Sequence, residues 1–185
     1  AAADVVVEGV PGLHSKAAVE RFYTETGGRA VWTANGGALL AKLRAALAGA
    51  ADHGLEPADY HAARLAKESG AAEVLATDAY LTYGAHLLRG KVGPVTVEPD
   101  WTAAARAGDV IAALKGAHSS GDVAGSLDAL APSAPSYRAL QAALVSWRQK
   151  AEREAAGRPP AKVPAGPSLK PGATGARVAA LQTRL

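Results

Sequence analysis

The 185-residue sequence has a net charge of +3, a pI near 9.3, no cysteine, no methionine, and an apolar fraction of 49% with only 5% aromatic residues. The lack of cysteine excludes a disulfide framework, a thiolate metal site and a thiol nucleophile within these residues. Lys and Arg are dispersed, with no basic stripe or recognition helix of the kind that grips nucleic acid, and no run of about 18 apolar residues could span a membrane. Much of the apolar content is alanine, which favours closely packed helices. A chain without methionine does not begin at a translation start, as expected of a processed secreted protein or an excised segment.

Taken in order, Val5-Val6-Val7 before Pro11-Gly12 reads as a tail or a short strand closed by a turn. Ser15 is placed to N-cap a helix from Lys16 to about Thr26, with Val19, Phe22 and Tyr23 inward and Gly27-Gly28 as the stop. Arg29 to Trp32 is short and extended, and Trp32 is a candidate core anchor at a corner. Asn35 or Gly36 opens the next helix, whose Leu39, Leu40, Leu43, Leu47 and Ala50 share one stripe until Gly54. Pro57 and Asp59 then suit the first turn of a helix running to about Glu68, with Tyr60 as a second anchor.

The stretch from Ala71 to Gly90 is the predicted centre of the fold. Val74, Leu81, Ala85 and Leu88 make one apolar stripe, and Tyr80, Tyr83 and Leu87 another on the opposite side. A helix apolar on two sides is wrapped by others rather than laid on a surface. Gly90 is expected as a left-handed C-cap after Arg89. Pro94 and Pro99 then predict an extended arm that ends on the anchor Trp101.

Beyond the arm, Asp109 to Ala117 and Asp122 to Leu130 read as two short helices. Ser136 is expected to cap a longer one, Tyr137 to Ala156, burying Leu140, Leu144, Val145 and the fourth anchor, Trp147, before a charged tail. Residues 157–168, rich in Pro, Gly and basic side chains, read as a linker. Residues 169–185 pair a Pro-Gly turn with a helix bearing Val178, Leu181 and Leu185, which is too little apolar material to fold alone. The expectation is thus a mainly α chain: a multi-helix domain over 1–156 with extended arms, a linker, and the start of a second module.

No catalytic, cofactor or metal constellation stands out. The five histidines, His14, His53, His61, His86 and His118, form no HExxH, HxH or HxxH pair, and there is no nucleophile elbow or phosphate loop. Asp78 and Thr82, at i and i+4 beside the buried stripe, fit a cap or a bond to a neighbouring backbone better than catalysis.

The order of segments is more telling than any one of them. Phe22-Tyr23 with GGRAVW up to Trp32 is followed by DHGLEPADY at Asp52 to Tyr60 and TDAYLTYGAHLLRGKVGP at Thr77 to Pro94. Trp101 and PSYRALQAAL at Pro135 to Leu144 come next. Together they resemble the helical scaffold domain of the larger bacterial L,D-transpeptidases, periplasmic enzymes that cross-link peptidoglycan. In that family a peptidoglycan-binding module follows, and Leu169-Lys170-Pro171-Gly172 with Arg177, Val178, Leu181 and Leu185 resembles its opening and first helix. The resemblance spans roughly Lys16 to Leu185.

The resemblance implies an exported protein of the periplasm or cell envelope. Its implied partners are peptidoglycan, its own downstream catalytic domain and other cell-wall synthesis proteins. The family's cysteine, in a His-Gly-Cys setting, is absent, so no catalytic residue carries over, no cofactor is implied, and the transpeptidase domain is expected downstream of Leu185. The competing expectation is a stand-alone wall-binding or adaptor protein without enzymatic activity.

Overall fold

The computed structural model describes residues 5–67, 70–100, 102, 104–157 and 162–184, and among them regular structure is helical, with no strand. The helices are α1 (Lys16–Thr26), α2 (Ala38–Ala48), α3 (Ala62–Leu65), α4 (Ala72–Arg89), α5 (Pro94–Val97), α6 (Val110–Ser120), α7 (Val123–Asp128), α8 (Pro135–Ala156) and α9 (Ala176–Arg184). Short 3₁₀ turns at Asn35–Gly37, Gly49–His53 and Pro57–Tyr60 link several of them. Contacts divide the chain into Ala1–Ala142 and Ala143–Leu185, so α8 starts in the first unit and ends in the second. No helix among the described residues is long and apolar enough to cross a membrane.

In the first unit α4 is the axis, as its two apolar stripes predict. Every residue from Ala72 to Gly84 is buried, and α1, α2, α3, α6 and α7 pack around it. Ala76 and Ala79 are fully buried and let neighbouring helices approach closely. Gly84 takes this to its limit. A Cβ there would lie 2.7 Å from Val110 Cγ1, in α6, and 3.0 Å from Leu130 Cδ1, just after α7, both of them buried. Gly84→Ala should therefore lower stability by about 1–3 kcal/mol despite alanine's better helix propensity. A urea midpoint equal to or above wild type would refute the close packing.

Local signals set several boundaries. α1 occupies the residues its periodicity predicts and ends at Gly27, whose N–H reaches Tyr23 O. Asp109 caps α6 by accepting from the Ile111 and Ala112 amides at 2.9 and 3.1 Å. Asp122 does the same for α7 through Gly125 at 2.9 Å. Each satisfies amides that the helix itself leaves open.

Other expectations are corrected. The single helix foreseen from Pro57 to Glu68 is a 3₁₀ turn and the short α3, broken at His61, whose φ of 56° is left-handed; Glu68 lies outside the described residues. Pro94 does not force an extended arm. It opens α5, because a proline in a first turn gives up no intrahelical hydrogen bond. Gly90 has φ 87° and ψ 156°, a conformation only glycine adopts easily, rather than the left-handed helical cap. Val5 to Val7 pair with no strand, although the Val5 N–H bonds Gly28 O at 2.9 Å.

The largest correction concerns α8. It begins at Pro135 rather than after a Ser136 cap, and none of its residues is buried. Leu140 is 70% exposed and the expected anchor Trp147 is 66% exposed, with Leu144 and Val145 half-buried. Periodicity marks the face a helix could bury but cannot supply the element that covers it. Lys150 instead places its ammonium 4.8 Å from the Trp147 ring centre.

Candidate functional site

Two polar junctions and one cleft are built on α4. The first junction is Glu73, in the first turn of the helix. Its Oε1 accepts from Val31 N at 2.6 Å and from the Tyr23 hydroxyl at 3.0 Å. Its Oε2 accepts from Trp32 N at 3.0 Å and from Thr33 N and Oγ1 at 2.8 and 2.9 Å. Three consecutive backbone amides thus converge on one buried carboxyl group, and an acceptor-only carboxylate suits them. One turn on, Thr77 Oγ1 accepts from Trp32 Nε1 at 2.9 Å and meets the Tyr23 hydroxyl at 2.7 Å. Burial, followed by the nearby Glu73 charge, pushes the Tyr23 hydroxyl pKa well up, so it stays a donor. The segment expected to be a short extended stretch is held by side chains of α4, not by a strand partner.

The second junction is Asp78. Its Oδ1 accepts from Ser15 N at 2.7 Å, and its Oδ2 from His14 N at 3.0 Å and His61 Nε2 at 2.7 Å. Ser15 Oγ meets Thr82 Oγ1 at 2.9 Å. Asp78 and Thr82 thus receive the N-terminus of α1, the backbone role their spacing suggested. Burial pushes the Asp78 carboxyl up, but the hydrogen bonds from His61, His14 and Ser15 outweigh it and hold its pKa below the ordinary aspartate value. The bond from His61 also explains why a non-glycine residue holds φ at 56° there.

His14, His61 and Asp78 each offer a ligand atom within 4.8 Å of the others. Sequence spacing could not have found this group, since its members come from three separate elements. The imidazole rings lie 17° from parallel with centres 5.0 Å apart, and His61 Nε2 is already bonded to Asp78. Nearly parallel rings send their lone pairs side by side instead of toward one point. The group therefore works as a hydrogen-bonded clasp between α1, α3 and α4.

The cleft, of about 590 Å³, opens at the C-terminal end of α4. Leu55, Leu87, Leu88 and Pro132 are apolar in its lining, and Arg89, Lys91 and Arg106 bring positive charge to it. Two tyrosine–histidine pairs stand beside it: Tyr60 Oη with His86 Nδ1 at 2.9 Å, and Tyr137 Oη with His53 Nδ1 at 2.7 Å. Burial, followed by the Asp59 charge, pushes the Tyr60 hydroxyl up to about 12. Burial also lowers both histidine pKa values, with Arg138 adding to the effect at His53 and Lys91 at His86.

These shifts have a sign. A histidine whose pKa is lower folded than unfolded leaves the unfolded chain to take up protons first as pH falls below about 6.5. Stability should therefore decline between about pH 6.5 and the lower folded-state values, and the double variant His53→Gln/His86→Gln should flatten that slope. Urea titrations on either side of this window would show it, and equal slopes would remove these histidines as its source.

Of the anchors read from the sequence, Trp32 is 1% exposed and Tyr60 fully buried. Trp101 lies outside the described residues, and Trp147 is on the surface. In the second unit the Arg177 guanidinium bonds the carbonyls of Pro164 (2.8 Å), Gly166 (3.2 Å) and Pro167 (2.5 Å), and so ties the proline-rich segment to α9. Val178 and Leu181 are half-buried, Leu169 is 37% exposed, and Leu185 lies outside the described residues. Glu73, and the pairing of Asp78 with His61, escaped the sequence reading. An isolated acid inside an apolar run is the one signal that could have marked Glu73.

No curated protein and no solved structure matches this chain. The family described as the Scaffold domain matches residues 17–144, which take in α1 to α7 and the first part of α8. Over that stretch, which is most of its length, the chain belongs to the Scaffold domain family.

Proposed function

We propose that this chain is the non-catalytic scaffold portion of an L,D-transpeptidase, a protein of the periplasm or cell envelope that cross-links peptidoglycan. The observation that carries this reading is the family match over 17–144, within which the scaffold segments of the resemblance, from Phe22 to Leu144, fall. In this reading the acyl transfer needs a thiolate, which attacks the carbonyl of the amide before the terminal D-alanine of one stem peptide, forming a thioester as the C–N bond breaks and D-alanine leaves. The thioester is then resolved by the amine of a second stem peptide. No cysteine exists in these residues, so this reading assigns the thiol to a part of the polypeptide outside them. The α4-centred unit contributes a rigid body, fastened by Glu73 and Asp78, on which such domains can be positioned.

The test uses purified tetrapeptide-rich peptidoglycan, this chain, and the product of the complete reading frame, with digested muropeptides analysed by mass spectrometry. Cross-links joining the third residues of two stem peptides, formed by the complete product alone, are the expected result. Their formation by the short chain would mean a cysteine-free active site. None from either would favour the adaptor reading, for which exposed Leu140 and Trp147 on α8 are the supporting observation.

A further inference from the structure

The charged side chains that line the α4 cleft are all basic. Arg89, Lys91 and Arg106 line it, and no aspartate or glutamate does among the described residues. Each cation is already steadied by one contact. Lys91 Nζ bonds Asp59 Oδ2 at 2.6 Å, an Arg106 terminal nitrogen donates to Leu130 O at 2.7 Å, and one of Arg89 donates to Gly108 O at 3.2 Å. A guanidinium has five N–H donors, so one contact orients the arginine and leaves most of the fork for an incoming carboxylate. Half-buried Leu55 and Pro132 give the cleft apolar surface, whereas Leu87 and Leu88, each 4% exposed, belong to the core. Next to the lining residues Lys91 and Pro94, Val92 and Val97, the latter in α5, are 61% and 74% exposed. The volume falls within the range of ligand pockets, about 300–1,000 Å³.

We propose that this cleft docks an acidic peptide segment of a partner protein, its apolar side chain resting on Leu55 and Pro132 and its carboxylates on Arg89 and Arg106, beside the Lys91–Asp59 pair. Charge complementarity selects the ligand. A neutral apolar ligand would leave the guanidinium groups of Arg89 and Arg106 without an anion, and a basic one would be repelled. The carboxylates confer specificity and speed of encounter, and the apolar contact slows release. The proposal is independent of the transpeptidase reading, because neither peptidoglycan nor a catalytic domain enters it.

The experiment is fluorescence anisotropy of the whole chain at low ionic strength with a dye-labelled Asp-Leu-Glu-Leu-Asp peptide and its counterpart, Lys-Leu-Lys-Leu-Lys. Saturable binding of the acidic peptide is expected, weakened about tenfold or more by Lys91→Glu and by Arg106→Ala, and by added salt. Lys42→Glu, on α2 where Lys42 bonds Gly121 beyond the far end of α6, should leave it unchanged. Circular dichroism melts confirm that each variant is folded; Lys91, half-exposed and outside the core, is the safest of them. No saturation up to about 1 mM, equal binding of the lysine peptide, or equal weakening by Lys42→Glu would overturn the proposal.

Discussion

Replacing Glu73 with alanine is expected to lower folding stability by about 3–5 kcal/mol, one of the two largest single-residue effects in this chain. The carboxyl group is the common acceptor for the amides of Val31, Trp32 and Thr33 and for two hydroxyls. An alanine would leave those donors inside the protein with nothing to bond, and an orphaned buried donor loses more than a made bond gains. Among the described residues no lysine or arginine pairs with Glu73, so its removal frees no buried cation. The loss comes from the backbone segment it holds. Glu73→Gln is the sharper test, since it keeps shape and one acceptor oxygen but turns an NH₂ group toward amides that are themselves donors. It should fall between wild type and alanine. Urea midpoints for both, with slopes compared, would measure this, and an alanine variant within about 1 kcal/mol of wild type would show that water can replace the carboxylate.

Trp32→Ala is expected to lower stability by about 3–5 kcal/mol, through the cavity left in the core and the loss of the indole N–H bond to Thr77. The side chain is 1% exposed and its ring centre lies 5.9 Å from that of Tyr80. Trp32→Phe separates the two contributions by keeping most of the apolar volume while leaving the Thr77 hydroxyl without its indole donor. Trp147→Ala supplies the contrast. Its ring is 66% exposed on α8, so its truncation should stay within about 0.5 kcal/mol of wild type. If the two tryptophan variants melted alike, the division between core and surface drawn here would fail.

The two experiments also probe one coupled unit. Glu73 fixes the backbone that presents Trp32, and Thr77, one turn along α4, bonds its indole. The double variant should lose less than the sum of the singles, because once the segment is released the indole contact is already compromised.

What the sequence determined by itself was the helical frame. Local physics acts over a few residues, so alanine-rich composition, the 3.6-residue stripes of α1, α2 and α4 and the glycine after α1 were legible, whereas the capping of α6 and α7 by Asp109 and Asp122 was not read from it. The doubly apolar character of α4 also announced its burial, because a helix with two greasy sides has to be enclosed. Trp32 was expected as an anchor on a different ground, that a tryptophan beside a turn fixes a corner.

Only the tertiary structure decided the rest. The left-handed His61 that splits the predicted helix exists because Asp78, 17 residues away, accepts its hydrogen bond. Glu73 binds Trp32 across 41 residues, and no spacing rule relates those positions. The stripe on α8 looked as buriable as that on α2, yet no residue of α8 is buried. The cleft at the end of α4 gathers residues from His53 to Tyr137. Periodicity states what a segment can bury; which partner arrives, and which polar groups meet there, is fixed by contacts between segments far apart in the chain.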